Sequence, residues 1–393
     1  MPVESKNMGF LEGLTILDLA SVGPAARASR ILADYGMNVI KVAPVAAKGA
    51  KQIDPVFHAY GAGRGMKKIR ADLKSEEGRE VIYKLAANVD VIMESYRPGV
   101  ASRLGVGYDD IKKVNPSIVY CSTSGYGQDG PYAQWAGHDI NYLAIGGFLA
   151  CSGRDSEGRP AIPGATVADS AGGGMHAAMA IISALLNRFR NNEGAYLDVA
   201  ATDGVLSLMS LYLDQYTATG VETRPNEAVL TGAYGWYSVY KTKDGGAVSV
   251  GAIEPHFFKN LCRLLELEQY SDCQYDRSIQ DEMKAALQKK FLTAERDHWT
   301  ELLAGENTCV APVLSIAEVV EDKHLQSRNS FMKAVHPSEG EFSQLAPILA
   351  GCERKKAVHQ VQAAGLTNTD EVLRAAGFEK EEIIRLINSG GVE

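Results

Sequence analysis

Short apolar runs alternate with amphipathic segments through the first third of the chain. Leu14-Thr15-Ile16-Leu17-Asp18-Leu19 reads as a buried strand, Gly23-Pro24 opens an Ala-rich helix that runs through Leu32 to Gly36, and Asn38-Val39-Ile40-Lys41-Val42 returns to strand. That is a βαβ opening. Glu76-Glu77-Gly78-Arg79-Glu80 leads a helix toward Ala87, and residues 89–95 and 118–122 read as further parallel strands. The pattern predicts an α/β fold, an open parallel sheet with helices on both faces, whose ligands bind beyond the carboxyl ends of the strands. Residues 95–99 and 122–127 are two such strand-end loops.

Further on, residues 176–189 are apolar around most of a helical circumference, which predicts a central helix buried on several sides. Residues 196–200 return to strand and Asp203 begins another helix. The texture changes near residue 230. Residues 234–240 and 247–251, joined through Asp244-Gly245-Gly246, predict an antiparallel hairpin, followed by amphipathic helices near 256–265 and 280–303. The expected division is a large domain over 1–224, a smaller α+β domain over 225–325, and a return to the large domain over 326–393. Two short helices are expected in that return, at 370–377 and 380–386, the first with an acidic start and a glycine stop.

With 393 residues, 46% of them hydrophobic and 22% charged, the chain can bury a large core. A net charge of −8 argues against nucleic acid as a partner, while leaving room for a local basic cleft. Six cysteines at 121, 151, 262, 273, 309 and 352 show no CxxC spacing, so neither a zinc site nor a disulfide framework is expected. Residues 1–6 lack a basic start followed by an apolar run, and no segment approaches membrane-spanning length. The expected location is the cytoplasm or another reducing compartment. No GxGxxG fingerprint sits at the first strand–helix turn, so a dinucleotide cofactor is not supported.

Three groups stand out chemically: His138 in Gly137-His138-Asp139-Ile140-Asn141-Tyr142, Asp169 just ahead of Gly172-Gly173-Gly174, and Glu254 before Pro255. An imidazole titrates around pKa 6.5 and suits general base work near neutral pH; equally, a His after Gly is a plain helix-start residue. Asp139 and Tyr142 can bind backbone or ligand groups. Asp169 is either an N-cap or first-turn acid, or a base or nucleophile beside glycines that open room and N–H donors for an anionic oxygen. Glu254 is by default a surface acid. Arg97, Arg64, Lys67 and Lys68 are candidate phosphate contacts, with a solvated charge cluster the default for the last three.

The spaced set Glu94-Ser95-Tyr96-Arg97-Pro98-Gly99-Val100, Leu104-Gly105, residues 125–131, Asp169 and Asp244-Gly245 resembles the superfamily of family III CoA-transferases and α-methylacyl-CoA racemases, over nearly the whole chain. Residues 136–142 and 250–255 resemble its racemase branch. The resemblance implies that His138 and Asp169 are two bases and that Glu254 assists His138. In the transferases only the residue matching Asp169 acts, as a nucleophile. It further implies a Rossmann-like large domain that binds CoA, a small domain, an interlocked homodimer, and an acyl-CoA substrate. The implied reaction is interconversion of (R)- and (S)-2-methylacyl-CoA, with no cofactor beyond the CoA of the substrate and no metal; a CoA-transferase forming an aspartyl-CoA intermediate on Asp169 is the alternative. Two positions depart from the pattern. Ala43 stands where the family commonly has an acid, with only Lys48 downstream, and Ala165 stands where the racemases often have asparagine.

Overall fold

The computed structural model describes residues 9–20, 23–45, 56–352, 354, 358–363 and 365–393. The chain divides into two compact units, one of residues 1–146, 163–209 and 323–393, the other of residues 147–162 and 210–322.

In the first unit, β1 (Thr15–Asp18), α1 (Pro24–Asp34), β2 (Asn38–Ala43), β3 (Met66–Arg70), α2 (Glu76–Ala86), β4 (Val91–Glu94) and β5 (Val119–Ser124) follow in turn. They are followed by α3 (Asp139–Ile145), α4 (His176–Asn191), β6 (Ala195–Ala200) and α5 (Ala201–Leu208). The six strands form one parallel sheet in the order β3-β2-β1-β4-β5-β6. This is the doubly wound order, with its reversal between β1 and β4. The short apolar runs form strands because both sides of each are covered. Leu17, Ile92 and Tyr120 face a core built with Ile82, Leu85, Leu373 and Leu386, whereas Ile16, Val91, Met93 and Cys121 face one built with Leu32, Ile181 and Leu185. At the reversal the buried Asp18 carboxylate accepts from Ala20 N (2.8 Å), Lys41 Nζ (2.6 Å) and Ser29 Oγ.

One expectation is corrected here. α4 is buried along a single stripe, Ala177, Ala178, Ile181, Ala184 and Leu185, while Met179, Leu186 and Phe189 stand exposed. The sheet covers only one face of the helix, and its second apolar face points outward.

The second unit holds α6 (Ser210–Thr219), β7 (Tyr237–Lys241), β8 (Ala247–Gly251), α7 (Pro255–Leu264), α8 (Gln280–Phe291), α9 (Arg296–Leu303) and β9 (Val310–Pro312). The hairpin β7–β8 is antiparallel as expected, and β9 adds antiparallel to β8. Trp236, Phe258, Phe291 and Trp299 anchor its core. The single helical stretch expected over 280–303 is two helices. Residues 292–295 turn between them, where Lys243 N donates to Ala294 O (3.0 Å) and the Trp299 indole donates to Phe291 O (2.8 Å).

The chain then returns to the first unit with β10 (Phe331–His336), β11 (Gly340–Leu345), β12 (His359–Gln360), α10 (Thr369–Ala375) and α11 (Lys380–Asn388). The last two lend Val372, Leu373, Ile383 and Leu386 to the core under the sheet. No described helix is long and apolar enough to cross a membrane.

Candidate active site

Asp169 does not sit ahead of a helix. It lies in the first turn of a π-helical segment, Ala168–Met175, that runs without a break into α4. Such wide turns widen the backbone locally and are frequent at functional sites. The glycines behind it serve close packing. A Cβ on Gly172 would lie 2.8 Å from Ala201 O, one on Gly173 2.5 Å from Pro24 Cβ, and one on Gly174 would overlap Arg27 Cβ. All three glycines are buried, so the open cradle of donors expected from them is not there: α1 and α5 fill the space.

His138 is the N-cap of α3, with extended backbone. Its N–H donates to Asn141 Oδ1 (3.0 Å) and its carbonyl accepts from Asn141 N (2.8 Å), fixing where the helix starts and leaving the imidazole exposed. The next residue makes the decisive contact. Asp139 Oδ1 accepts from Asp169 N at 2.8 Å, across thirty positions of sequence. The residue after His138 is thereby tied to the backbone of Asp169. Tyr142, one turn on, is buried and donates its hydroxyl to Gly137 O (2.6 Å). Its ring fills the space beside Gly125 and Gly137, where any Cβ would collide with it. Thr202 of α5 closes the corner by donating through both N (3.0 Å) and Oγ1 (2.6 Å) to Gly125 O, just beyond the end of β5.

The electrostatics follow from this packing. Burial raises the Asp169 carboxyl above the ordinary aspartate range and the Asp139 charge raises it further, while Arg27 and His138 pull it back. Burial, with Asp169, Tyr126 and Asp139 adding to it, pushes the Tyr142 phenol up to about 12, so it remains a donor at neutral pH. At the end of β4, Glu94 is buried, accepts from Tyr96 N (2.6 Å), and is raised chiefly by that burial.

The other sequence candidates have the following surroundings. Arg97 is exposed in the loop after β4. The Arg64 guanidinium is committed to Asp34 (3.0 Å), Gln344 Oε1 (2.7 Å) and Leu345 O (2.8 Å). Lys67 pairs with Glu371 (2.8 Å), and Lys68 lies on β3, its N–H donating to Asn368 Oδ1 (3.0 Å). Lys48 lies outside the described residues. Glu254 belongs to the second unit, where it is the exposed N-cap of α7 ahead of Pro255. Sequence reasoning missed Arg27, whose side chain bonds Ser170 and Thr166. Its only signal is a cation in the first turn of an Ala-rich helix.

Known proteins resemble this chain over nearly its whole length. The family model described as CoA-transferase family III matches residues 11–362. The human α-methylacyl-CoA racemase is 31% identical over 382 residues, covering 96% of each chain. The mouse succinyl-CoA:glutarate CoA-transferase is 30% identical over 401 residues, covering 98% of this chain and 91% of its own. Among solved structures, a CaiB/BaiF family protein from Brucella suis matches 94% of this chain and 99% of its own, with a TM-score of 0.76 at 25% identity.

Proposed function

The chain belongs to CoA-transferase family III, and from its candidate site we propose that it is a racemase of 2-methylacyl-CoA thioesters. The observation that carries the proposal is the hydrogen bond from Asp169 N to Asp139, which ties together the backbone carrying an exposed imidazole and the backbone carrying a half-buried carboxyl. A thioester α-carbon held between His138 and Asp169 loses its proton to one base, giving an enolate. The conjugate acid of the other base returns a proton to the opposite face. The two bases must occupy complementary protonation states in each direction of the reaction. A carboxyl raised by burial is suited to this work, since a general acid–base group is most effective when its pKa approaches the working pH. Glu254 enters through the resemblance of residues 250–255 to the racemase branch. The chemistry calls for no metal and no cofactor beyond the CoA of the substrate.

The second reading is a CoA-transferase in which the Asp169 carboxylate attacks the thioester carbonyl, passes through a mixed anhydride and holds CoA as an aspartyl thioester. The 30% identity to a succinyl-CoA:glutarate CoA-transferase favours it. Incubation with (R)-2-methylacyl-CoA in deuterium oxide, without a carboxylic acid acceptor, separates the two. Inversion with α-deuterium is expected, and His138→Ala should abolish inversion and slow exchange by roughly 10²–10⁴-fold. No label, but CoA exchange once an acceptor acid is added, would make Asp169 the nucleophile; unchanged racemisation in His138→Ala would remove the imidazole from the reaction.

A further inference from the structure

The side chain of Arg27 reaches from the first turn of α1 across the segment that carries Asp169. Its Nε donates to Ser170 Oγ (3.2 Å) and its Nη2 to Thr166 Oγ1 (2.9 Å), and those two hydroxyls lie 3.3 Å apart. The guanidinium therefore grips the chain on both sides of Asp169 in sequence. The stem is pinned as well, because Arg27 Cβ and Cγ pack against Gly174, where a side chain on the π turn would displace them. A planar fork held at two acceptors is a rigid device, one that a lysine ammonium on a flexible stem does not reproduce.

We propose that Arg27 is a positioning residue for the acid–base work of Asp169, clamping the 166–170 segment through Ser170 and Thr166 and bringing a fixed positive charge to the segment that carries the Asp169 carboxyl. This rests on the reading of Asp169 as a reacting group. The charges facing Asp169 make the effect legible. Arg27 comes from α1; Asp139, Tyr142 and the cap residue His138 come from α3; α4 begins with His176; and Asp203 of α5 acts on Asp198 instead. Of those acting on Asp169, Asp139 favours its protonated form, whereas Arg27 and His138 favour the carboxylate. Arg27 is the fixed cation of the set, because a guanidinium stays charged across the working range while an imidazole does not.

Two variants separate the clamp from the charge. Arg27→Gln removes the cation, so the protonated form of Asp169 persists to higher pH and the acidic limb of the α-deuterium exchange profile moves upward. Arg27→Lys keeps the cation and loses the fork, so the limb stays in place while kcat falls roughly 10- to 100-fold, the cost of a loosely held reacting group. Both are compared with wild type at matched folding, checked by circular dichroism. A readout independent of turnover accompanies them: ¹³C-labelled aspartate NMR, with Asp169→Asn assigning the Asp169 signal. Its titration midpoint should rise in Arg27→Gln and hold in Arg27→Lys. An Asp169 midpoint unmoved in Arg27→Gln would overturn the proposed charge, and wild-type kcat in Arg27→Lys would overturn the clamp. If wild type itself exchanges no α-proton and transfers no CoA, the functional reading fails on its own, and the NMR titration still decides whether Arg27 sets the charge of Asp169. An Arg27→Gln variant that fails to fold leaves Arg27→Lys to decide the clamp and Ser170→Ala, which removes the Nε acceptor, to report on position: kcat should fall with the limb unmoved, and unchanged kcat would count against the clamp.

Discussion

Asp139 has two effects on Asp169 that pull in different directions. Its carboxylate oxygen fixes the Asp169 backbone at 2.8 Å, and its charge makes the neighbouring Asp169 carboxylate harder to form. Asp139→Asn separates them, because an amide oxygen accepts the same N–H bond without the charge. With the repulsion gone, the carboxylate of Asp169 forms more readily, so its protonated share is lost at lower pH. The acidic limb of α-proton exchange should move down the pH axis, opposite to the movement expected for Arg27→Gln, with kcat retained to within about tenfold. Exchange measured from pH 4 to 9 in buffers of constant ionic strength checks this. An unmoved limb would mean that the Asp139 charge does not raise the Asp169 carboxyl.

The π turn is held between α1 and α5 by the absence of side chains. A Cβ on Gly204 would overlap the carbonyl oxygen of Gly172, and the backbones of α5 and the π turn have no other way to approach so closely. Gly204→Ala should therefore cost about 1–3 kcal/mol or more, the usual penalty of overpacking, in spite of alanine's better helix propensity. Urea unfolding of wild type and variant measures it; equal stability would show that the two segments separate freely. Such contacts also mark where the sequence stops being legible. β1, β4 and β5 were readable because strands covered on both faces are continuous apolar runs. The π turn was not, since eight residues with three glycines carry no periodicity that distinguishes a wide turn from a helix start. The reading of His138 and Asp169 as a pair came only through resemblance to a family. From residue type each group has an ordinary capping role, and the bond from Asp169 N–H to the Asp139 carboxylate uses a backbone donor that every residue but proline possesses.

For the molecule as a whole, the surface matters more than the core. In the first unit, α4 turns Met179 (61% exposed), Leu186 (54%) and Phe189 (67%) outward; in the second, α6 buries none of its residues and leaves Leu211 and Tyr216 exposed. Scattered surface apolar residues are ordinary, but large ones aligned along one helix mark a face that binds something. The sequence misled on α4 for the same reason: a helix apolar on two faces reads as buried whether the second covering comes from its own chain or from another. A homodimer, which the family resemblance implies, would supply such a covering. Sedimentation equilibrium at tens of micromolar should then give twice the 42.3 kDa chain mass, and Met179→Glu combined with Phe189→Asp should shift the protein toward monomer, because each places a charge where desolvation is required. The two positions lie outside the apolar stripe that α4 buries, so the variant's far-UV circular dichroism should match that of wild type. A wild-type mass of one chain at that concentration would leave the outer face of α4 to another partner.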